Sequence, residues 1–134
     1  MPTRRCFRVS NQSRLSHFDT VSLTGKLQLS VKELQDLITQ GTTLALIDVR
    51  EPWEAALARI ELEGLEQRLI PMGQIASRLS ELDPVQPIVC YCHHGMRSQQ
   101  VVAFLAHQGF EFVYNLAGGI DAWSREVDPS VPRY

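Results

Sequence analysis

Cysteine is scarce in this chain, and its spacing excludes a scaffold stabilised by disulfide bonds. The 134 residues contain three cysteines, Cys6, Cys90 and Cys92, which is an odd number and includes no Cys-x-x-Cys pair. Small secreted domains depend on paired cysteines, whereas proteins of reducing compartments keep free thiols. We therefore expect a cytoplasmic protein whose thiols are reduced.

Long apolar stretches, internal repeats and low-complexity tracts are absent as well. No stretch approaches the roughly 18 apolar residues of a membrane span, and no apolar segment near the start has the pattern of a secretory signal. A chain of this length corresponds to one domain by the usual size of protein domains. We therefore expect one globular domain that does not enter a membrane.

Basic residues are sparse beyond the start of the chain. Residues 1–26 carry five basic residues and one acidic residue, whereas the rest of the chain carries eight basic and fourteen acidic residues. An acidic body argues against nucleic acid as a partner. The serine-rich basic start has the composition of a solvated extension, which we favour, or of an organelle transit peptide. We predict a flexible extension over 1–25, a domain over 26–127 and a short irregular tail over 128–134.

Apolar runs that alternate with helical patterns predict an α/β fold. The run 44–49 is continuous and apolar, as in a parallel strand covered on both faces. The predicted strands are 44–49, 69–71, 87–91 and 112–116, and the predicted helices are 30–41, 72–82, 98–108, 118–123 and one that begins at Pro52. We interpret the charged segment 59–68 as a loop or a frayed helix. This order predicts a parallel sheet with helices on both faces and an active site at the carboxyl ends of its strands.

The segment 88–98, with the sequence IVCYCHHGMRS, contains the most informative residue of the chain, Cys92. An apolar strand pattern ends there, a short loop follows, and helical periodicity then begins. A thiol at this place faces backbone N–H groups and the positive end of a helix dipole, and both favour the reactive thiolate. Gly95 lets the backbone curl, and Arg97 adds a positive charge. We predict that Cys92 is a nucleophile.

The residues that follow Cys92 are the candidate substrate-binding residues. Their backbone N–H groups can form a nest around an anion or a sulfur atom, so the predicted binding residues are His93, His94, Gly95, Met96 and Arg97. We expect Arg97 to contact an anionic donor, with a role in holding the loop as the alternative. Both histidines are expected at the mouth of the pocket. Adjacent histidines on a tight loop rarely converge on one ion, so we predict no metal site.

Three residues near the predicted site have structural interpretations. Asp48 and Arg50 lie at the end of a neighbouring strand; we favour structural support for Asp48 and leave Arg50 open between a pocket role and an ion pair. Cys90 precedes Cys92 by two residues, so it lies on the same strand face but deeper in the sheet. We interpret Cys90 as a small core residue rather than a second, resolving thiol.

Two tryptophans and a glycine pair are given structural roles by the same reasoning. Trp53 and Trp123 are expected to pack in the core or at a hinge. The pair Gly118-Gly119 is too weak a signal for phosphate binding, and we expect it to form a tight turn before a helix. None of these residues is therefore predicted to take part in chemistry.

Four stretches of this chain together resemble the rhodanese-like sulfurtransferases. They are LIDVREPWE at 46–54, IPM at 70–72, YCHHGMRS at 91–98 and LAGGIDAW at 116–123. The resemblance covers residues 26–127 and implies a three-layer fold around a five-stranded parallel sheet. It also implies that Cys92 carries a persulfide, and that sulfane sulfur passes from a donor such as thiosulfate to cyanide or a thiol without a metal or cofactor. The family usually has a His-Ile-Pro-Gly-Ala pattern before its next strand, which the segment 58–69 lacks.

Two alternative functions stay open. Cysteine-dependent phosphatases and arsenate reductases also place an arginine after a cysteine loop, but their loop normally has one more residue than the four that separate Cys92 from Arg97. A rhodanese-like fold can also serve as a docking or sulfur-relay module whose acceptor is a protein. We expect a monomer that uses a small-molecule sulfur donor and a thiol, cyanide or protein acceptor, with no nucleic-acid or membrane partner.

Overall fold

A parallel sheet of five strands forms the centre of the computed structural model, which describes residues 27–134. The strands are β1 Gln28–Leu29, β2 Ala45–Asp48, β3 Glu66–Leu69, β4 Ile88–Tyr91 and β5 Val113–Leu116, and the helices are α1 Val31–Thr39, α2 Pro52–Leu57, α3 Met96–His107 and α4 Gly119–Glu126. The strand order is β1-β5-β4-β2-β3, and all neighbours are parallel. The prediction of an α/β fold with a five-stranded parallel sheet is confirmed. The predicted extension 1–25 lies outside the described residues.

Two apolar cores lie on opposite faces of the sheet. Successive side chains of a strand point to opposite faces, so Leu46 packs in one core and Ile47 in the other. The first core also contains residues of α1 and α4, and the second contains residues of α3. Helices therefore cover both faces, which confirms the predicted three-layer arrangement. Within residues 27–134, no helix combines the length and the apolar character that a membrane crossing requires.

The central position of β4 brings the candidate residues together. β4 lies between β2 and β5, with Asp48 beside Tyr91 and Asn115 beside Cys90. Because the strands are parallel, their carboxyl ends meet at one edge of the sheet. Cys92 follows directly after β4 at this edge, as the sequence predicted.

The segment 59–71 differs from its prediction in two respects. Part of the predicted loop or frayed helix is β3, which pairs with β2 from Ala45 to Asp48, and the predicted strand at 69–71 ends at Leu69. β3 is an edge strand with half-exposed charged side chains, so it lacks the apolar run that marks a central strand.

The predicted α-helix 72–82 is also wrong. Two 3₁₀ helices, Met72–Gln74 and Ala76–Glu81, take its place, and Arg78 has non-helical backbone angles. Apolar residues three positions apart suit a 3₁₀ turn as well as an α-helix, since a 3₁₀ helix repeats every three residues.

The two tryptophans have different surroundings. Trp123 is buried in the core with α4, as predicted. Trp53 is 62% exposed, so its predicted core role is wrong. On α2, Glu54 and Ala55 occupy the buried face, and Trp53 is left on the solvent side of the first turn.

Candidate active site

The loop between β4 and α3 wraps around the sulfur atom of Cys92. The Sγ atom accepts hydrogen bonds from the N–H groups of Gly95 at 3.1 Å and Ser98 at 3.4 Å, and the hydroxyl of Ser98 lies 3.4 Å from it. Gly95 has a φ of 102°, a left-handed conformation that favours glycine. This turn directs successive N–H groups inward, so the loop has the nest geometry expected for a bound sulfur or anion.

Two opposing effects set the acidity of Cys92. The side chain is almost fully buried, and burial by itself would raise the pKa of the thiol. Hydrogen bonds from the Ser98 hydroxyl and from the N–H groups of Ser98, Gly95 and Arg97 outweigh burial and lower the pKa below its ordinary value. The thiolate, which is the nucleophilic form of cysteine, is therefore more accessible than in an ordinary thiol.

The start of α4 fixes the base of this loop. The N–H of Ile120 donates to the carbonyl of Cys92 at 2.9 Å, and the N–H of Asp121 donates to the carbonyl of His93 at 3.1 Å. Gly119 permits this approach, because a Cβ atom there would lie 2.5 Å from both carbonyl oxygens. The prediction that Gly118-Gly119 forms a turn before a helix is confirmed.

A polar chain of side chains reaches Cys92 from β5. The hydroxyl of Ser98 contacts both the Sγ atom and Oδ1 of Asn115, and Nδ2 of Asn115 donates to the carbonyl of Gly95 at 3.1 Å. A hydroxyl has one hydrogen, so Ser98 donates either to Asn115 or to the thiolate. The sequence reasoning missed Asn115, and it treated Ser98 only as part of the loop motif.

Arg97 is held by a carboxylate from α2. Its Nη1 and Nη2 atoms donate to the two oxygens of Glu54 at 2.7 and 2.9 Å. Glu54 is buried, and the hydrogen bonds from Arg97 lower its pKa to about 2. The side chain of Arg97 is 36% exposed, and two of its five N–H groups are occupied by this pair. Arg97 thus joins the loop to α2 and keeps N–H groups for a further contact.

Asp48 and Arg50 form a buried ion pair beside the site. Nη2 of Arg50 lies 2.7 Å from Oδ2 of Asp48, and the same nitrogen donates to the carbonyl of Ala58 at 2.7 Å. The hydroxyl of Tyr91 also donates to Asp48, at 3.3 Å. These contacts connect β2, β4 and the end of α2, so the ion pair holds three elements of the fold together.

Cys90 lies deeper in the sheet than Cys92, in the same apolar core. The side chain is fully buried, and burial raises the pKa of its thiol to about 12. A thiol with this pKa stays protonated near neutrality and is a poor nucleophile. The environment of Cys90 is that of a core residue and not of a resolving thiol.

The two histidines lie beside the loop with Asp121, which the sequence reasoning had not singled out. Nitrogen and oxygen atoms of His93, His94 and Asp121 lie within 4.8 Å of one another. The histidine rings are stacked with centroids 4.0 Å apart, so their in-plane lone pairs point side by side and do not converge on one ion. The carboxylate of Asp121 is also bound by Arg125 and Arg133, each at 3.0 Å. This geometry disfavours chelation.

Comparison with known proteins places these observations in a family. The model of the rhodanese-like domain family matches residues 30–126. The chain is 43% identical over 93 residues to rhodanese-like/PpiC domain-containing protein 12, chloroplastic, of Arabidopsis thaliana, in an alignment that covers 66% of this chain and 30% of that protein. A sulfurtransferase of Allochromatium vinosum is 36% identical over 104 residues, covering 78% of this chain and 94% of that protein.

A solved structure has the same fold. The crystal structure of a rhodanese-like domain protein from Staphylococcus aureus is similar with a TM-score of 0.67 and 26% sequence identity, covering 80% of this chain and 97% of that one. The family match spans four of the five strands and the whole Cys92 loop. The chain therefore belongs to the rhodanese-like domain family.

Proposed function

We propose that this protein moves sulfane sulfur from a small anionic donor such as thiosulfate to a thiophilic acceptor through a persulfide on Cys92. The observation that carries the proposal is the cradle around Sγ, in which hydrogen-bond donors from Gly95 and Ser98 converge on one sulfur atom. Such donors stabilise negative charge on sulfur without a counter-ion in contact with it. The similar protein of Allochromatium vinosum that is named as a sulfurtransferase supports sulfur transfer in general.

In the loading step, the thiolate of Cys92 attacks the outer sulfur of the donor. A new S–S bond forms at Sγ, the S–S bond of thiosulfate breaks, and sulfite leaves with the bonding electron pair. The loop N–H groups then stabilise the outer sulfur of the persulfide. The exposed N–H groups of Arg97 are available to an anionic donor at the entrance.

In the unloading step, an acceptor nucleophile attacks the outer sulfur of the persulfide. With cyanide the product is thiocyanate, and with a thiol it is a new persulfide; in both cases the electron pair of the broken bond returns to Cys92 as thiolate. The cycle is a ping-pong reaction in which the enzyme carries the group between two half-reactions. It uses only groups of this chain and the two substrates.

A phosphatase is the less favoured use of this loop. A phosphoryl group needs a wider cradle than a single sulfur atom, and four residues separate Cys92 from Arg97, one fewer than phosphatase loops normally have. We therefore expect little hydrolysis of p-nitrophenyl phosphate, and robust turnover would move the protein to the phosphatase class.

A protein acceptor is a second candidate for the unloading step. Trp53, Leu57 and Met96 are large apolar side chains that are 62%, 53% and 73% exposed. Trp53 and Met96 are sequence neighbours of Glu54 and Arg97, the pair that joins α2 to the Cys92 loop. Exposed apolar groups beside a reactive residue are typical of a protein contact. Trp53→Ala should weaken delivery to a protein acceptor and leave delivery to cyanide unchanged.

Thiosulfate:cyanide transfer by three proteins tests the proposal. The native protein should form thiocyanate, Cys92→Ser should form none, and Cys90→Ser should retain most of the activity because Cys90 is buried and protonated. Cys90→Ser is the matched control, since it removes a thiol from the same strand region. Full activity of Cys92→Ser, or no activity of the native protein with any sulfane donor, would overturn the proposal.

A further inference from the structure

The last seven residues of the chain lie against the Cys92 site as an irregular strap, defined as residues 128–134. The hydroxyl of Ser124 on α4 donates to the carbonyl of Val131 at 2.6 Å, and Val131 is buried in the core beside α4. Arg133 donates to Asp121 at 3.0 Å. The tail is irregular, as predicted, but its contact with the site was not predicted.

Tyr134 connects this strap to three parts of the site. Its hydroxyl accepts from Nη1 of the buried Arg50 at 2.7 Å and donates to Oε2 of Glu54 at 2.9 Å. Its ring stacks on that of His93, with centroids 4.0 Å apart and planes 8° from parallel. The tyrosine therefore extends from α2 to the residue that follows Cys92.

The stack restricts His93 from both sides. The ring centroid of His93 lies 4.0 Å from that of His94 and 4.0 Å from that of Tyr134, and both pairs of rings are stacked. His93 follows Cys92 directly in the chain, and Cys92 is 1% exposed. A ring that stacks between two others has little freedom to move, and this ring belongs to the residue that follows the buried Cys92.

We propose that Tyr134 is a specificity-determining residue that narrows the entrance to Cys92 and restricts loading to compact anionic donors. The proposal deepens the sulfur-transfer function proposed above and rests on it for the identity of the substrate. A cleft of about 480 Å³ lies beside the strap, between residues 55–61 and residues 128–132. Compact donors reach Cys92 with the strap in place, and bulky donors require it to be displaced.

Alkylation of Cys92 by a small and a large reagent tests the entrance without any sulfur chemistry. The full chain is used in a Cys6→Ser background, and rate constants are measured for iodoacetamide and for fluorescein-5-maleimide. The ratio of large-reagent to small-reagent rate should rise by roughly ten-fold or more in Tyr134→Ala. Tyr134→Phe keeps the ring stack and should keep most of the native ratio.

A pair of arginine variants separates the strap from a general loss of stability. Arg133 and Arg125 bind opposite oxygens of Asp121, but only Arg133 belongs to the strap. Arg133→Ala should raise the reagent ratio, and Arg125→Ala should leave it at the native value. The proposal would be overturned if the ratio of large-reagent to small-reagent rate were unchanged in Tyr134→Ala. It would also be overturned if the rates of both reagents rose equally in all variants.

Sulfur donors of two sizes then connect the entrance to the reaction. The kcat/KM for benzenethiosulfonate relative to thiosulfate should rise in Tyr134→Ala and stay near native in Tyr134→Phe. If the native protein accepts neither donor, the sulfur-transfer function fails, while the alkylation ratio still decides the role of Tyr134. If both donors are accepted but their ratio is the same in Tyr134→Ala, the specificity role is wrong.

Discussion

At the scale of single residues, the reactivity of Cys92 depends on hydrogen-bond donors that outweigh the cost of burial. The sulfur lies out of contact with bulk water, where a bare thiolate would be unfavourable. The donors are three backbone N–H groups and the hydroxyl of Ser98. Removing one of them should therefore shift the balance measurably towards the thiol.

The alkylation rate of Cys92 against pH should show this balance. A lowered pKa means that the thiolate fraction, and with it the rate, reaches its plateau at a lower pH than for a free thiol, whose pKa is about 8.5. Ser98→Ala should move the midpoint upwards, because a donor to the thiolate is lost. Cys90→Ser should leave the midpoint unchanged. A native midpoint at or above that of a free thiol would show that the loop does not activate Cys92.

Arg97 should contribute mainly to the loading half-reaction. Losing one charge-assisted contact to an anionic donor costs on the order of 1.5–3 kcal/mol, or roughly a ten- to hundred-fold slower loading step. Rapid-mixing kinetics of loading by thiosulfate and of unloading to cyanide give the two rates for Arg97→Ala. We expect unloading from an already loaded Cys92 to change little.

The Glu54 pair supplies the control for this measurement. Arg97→Ala leaves the carboxylate of Glu54 buried without its main partner, which destabilises a fold by several kcal/mol. Combining it with Glu54→Gln removes the orphaned charge. A slow loading step that persists in the double variant supports contact with the donor. Equal losses in both half-reactions that recover in the double variant would make Arg97 a loop-holding residue only.

What the sequence predicts at this scale depends on how far apart the partners are in the chain. Cys92 and Gly95 belong to one short loop, so their spacing alone indicates the cradle. Glu54, Asn115 and Tyr134 reach the same site from distant positions. A side chain contact over such a separation depends on the packing of whole elements and leaves no local pattern.

At the scale of elements, the approach of α4 to the Cys92 loop should be the most sensitive junction. Gly119→Ala places a methyl group against the carbonyls of Cys92 and His93, so either the loop or α4 must move. A displacement of about 1 Å at a reacting group can slow a reaction by roughly a hundred-fold. We expect Gly119→Ala to lower both the melting temperature and the rate of persulfide formation.

Gly109→Ala is the matched control for this substitution. Gly109 also has a positive φ, of 97°, but a Cβ atom there would have no neighbour within 4 Å. It therefore carries the conformational cost alone, about 1–2 kcal/mol for a left-handed residue. Melting curves should show the smaller loss in Gly109→Ala, and loading rates should show a reactivity defect in Gly119→Ala only. Equal loading rates in the two variants would remove the special role of α4.

Elements were predictable from sequence where burial dominates their composition. β2 and β4 are buried along their whole length, and all their residues but Asp48 and Tyr91 are purely apolar, so their positions follow from the sequence. β3 carries charged residues at the edge of the sheet, and its pairing with β2 is set by the tertiary fold. The 3₁₀ helices could not be distinguished from an α-helix by sequence, because their apolar spacing fits both kinds of helix.

At the scale of the whole molecule, the strand order determines where the chemistry lies. β4 is central, so the loop that follows it receives α4 from one side and Glu54 of α2 from the other. The alternation of strands and helices made this architecture predictable. The strap 128–134 could not be predicted, because an irregular segment gives no periodic signal, and its position depends on the core that Val131 enters.

The mass of the intact protein after incubation with thiosulfate tests the central claim most directly. We expect a species heavier than the native protein by one sulfur atom, which peptide mapping places on Cys92 and which cyanide removes. Cys90→Ser should gain the same mass, and Cys92→Ser should gain none. No added mass on the native protein, or added sulfur that persists in Cys92→Ser, would contradict the account.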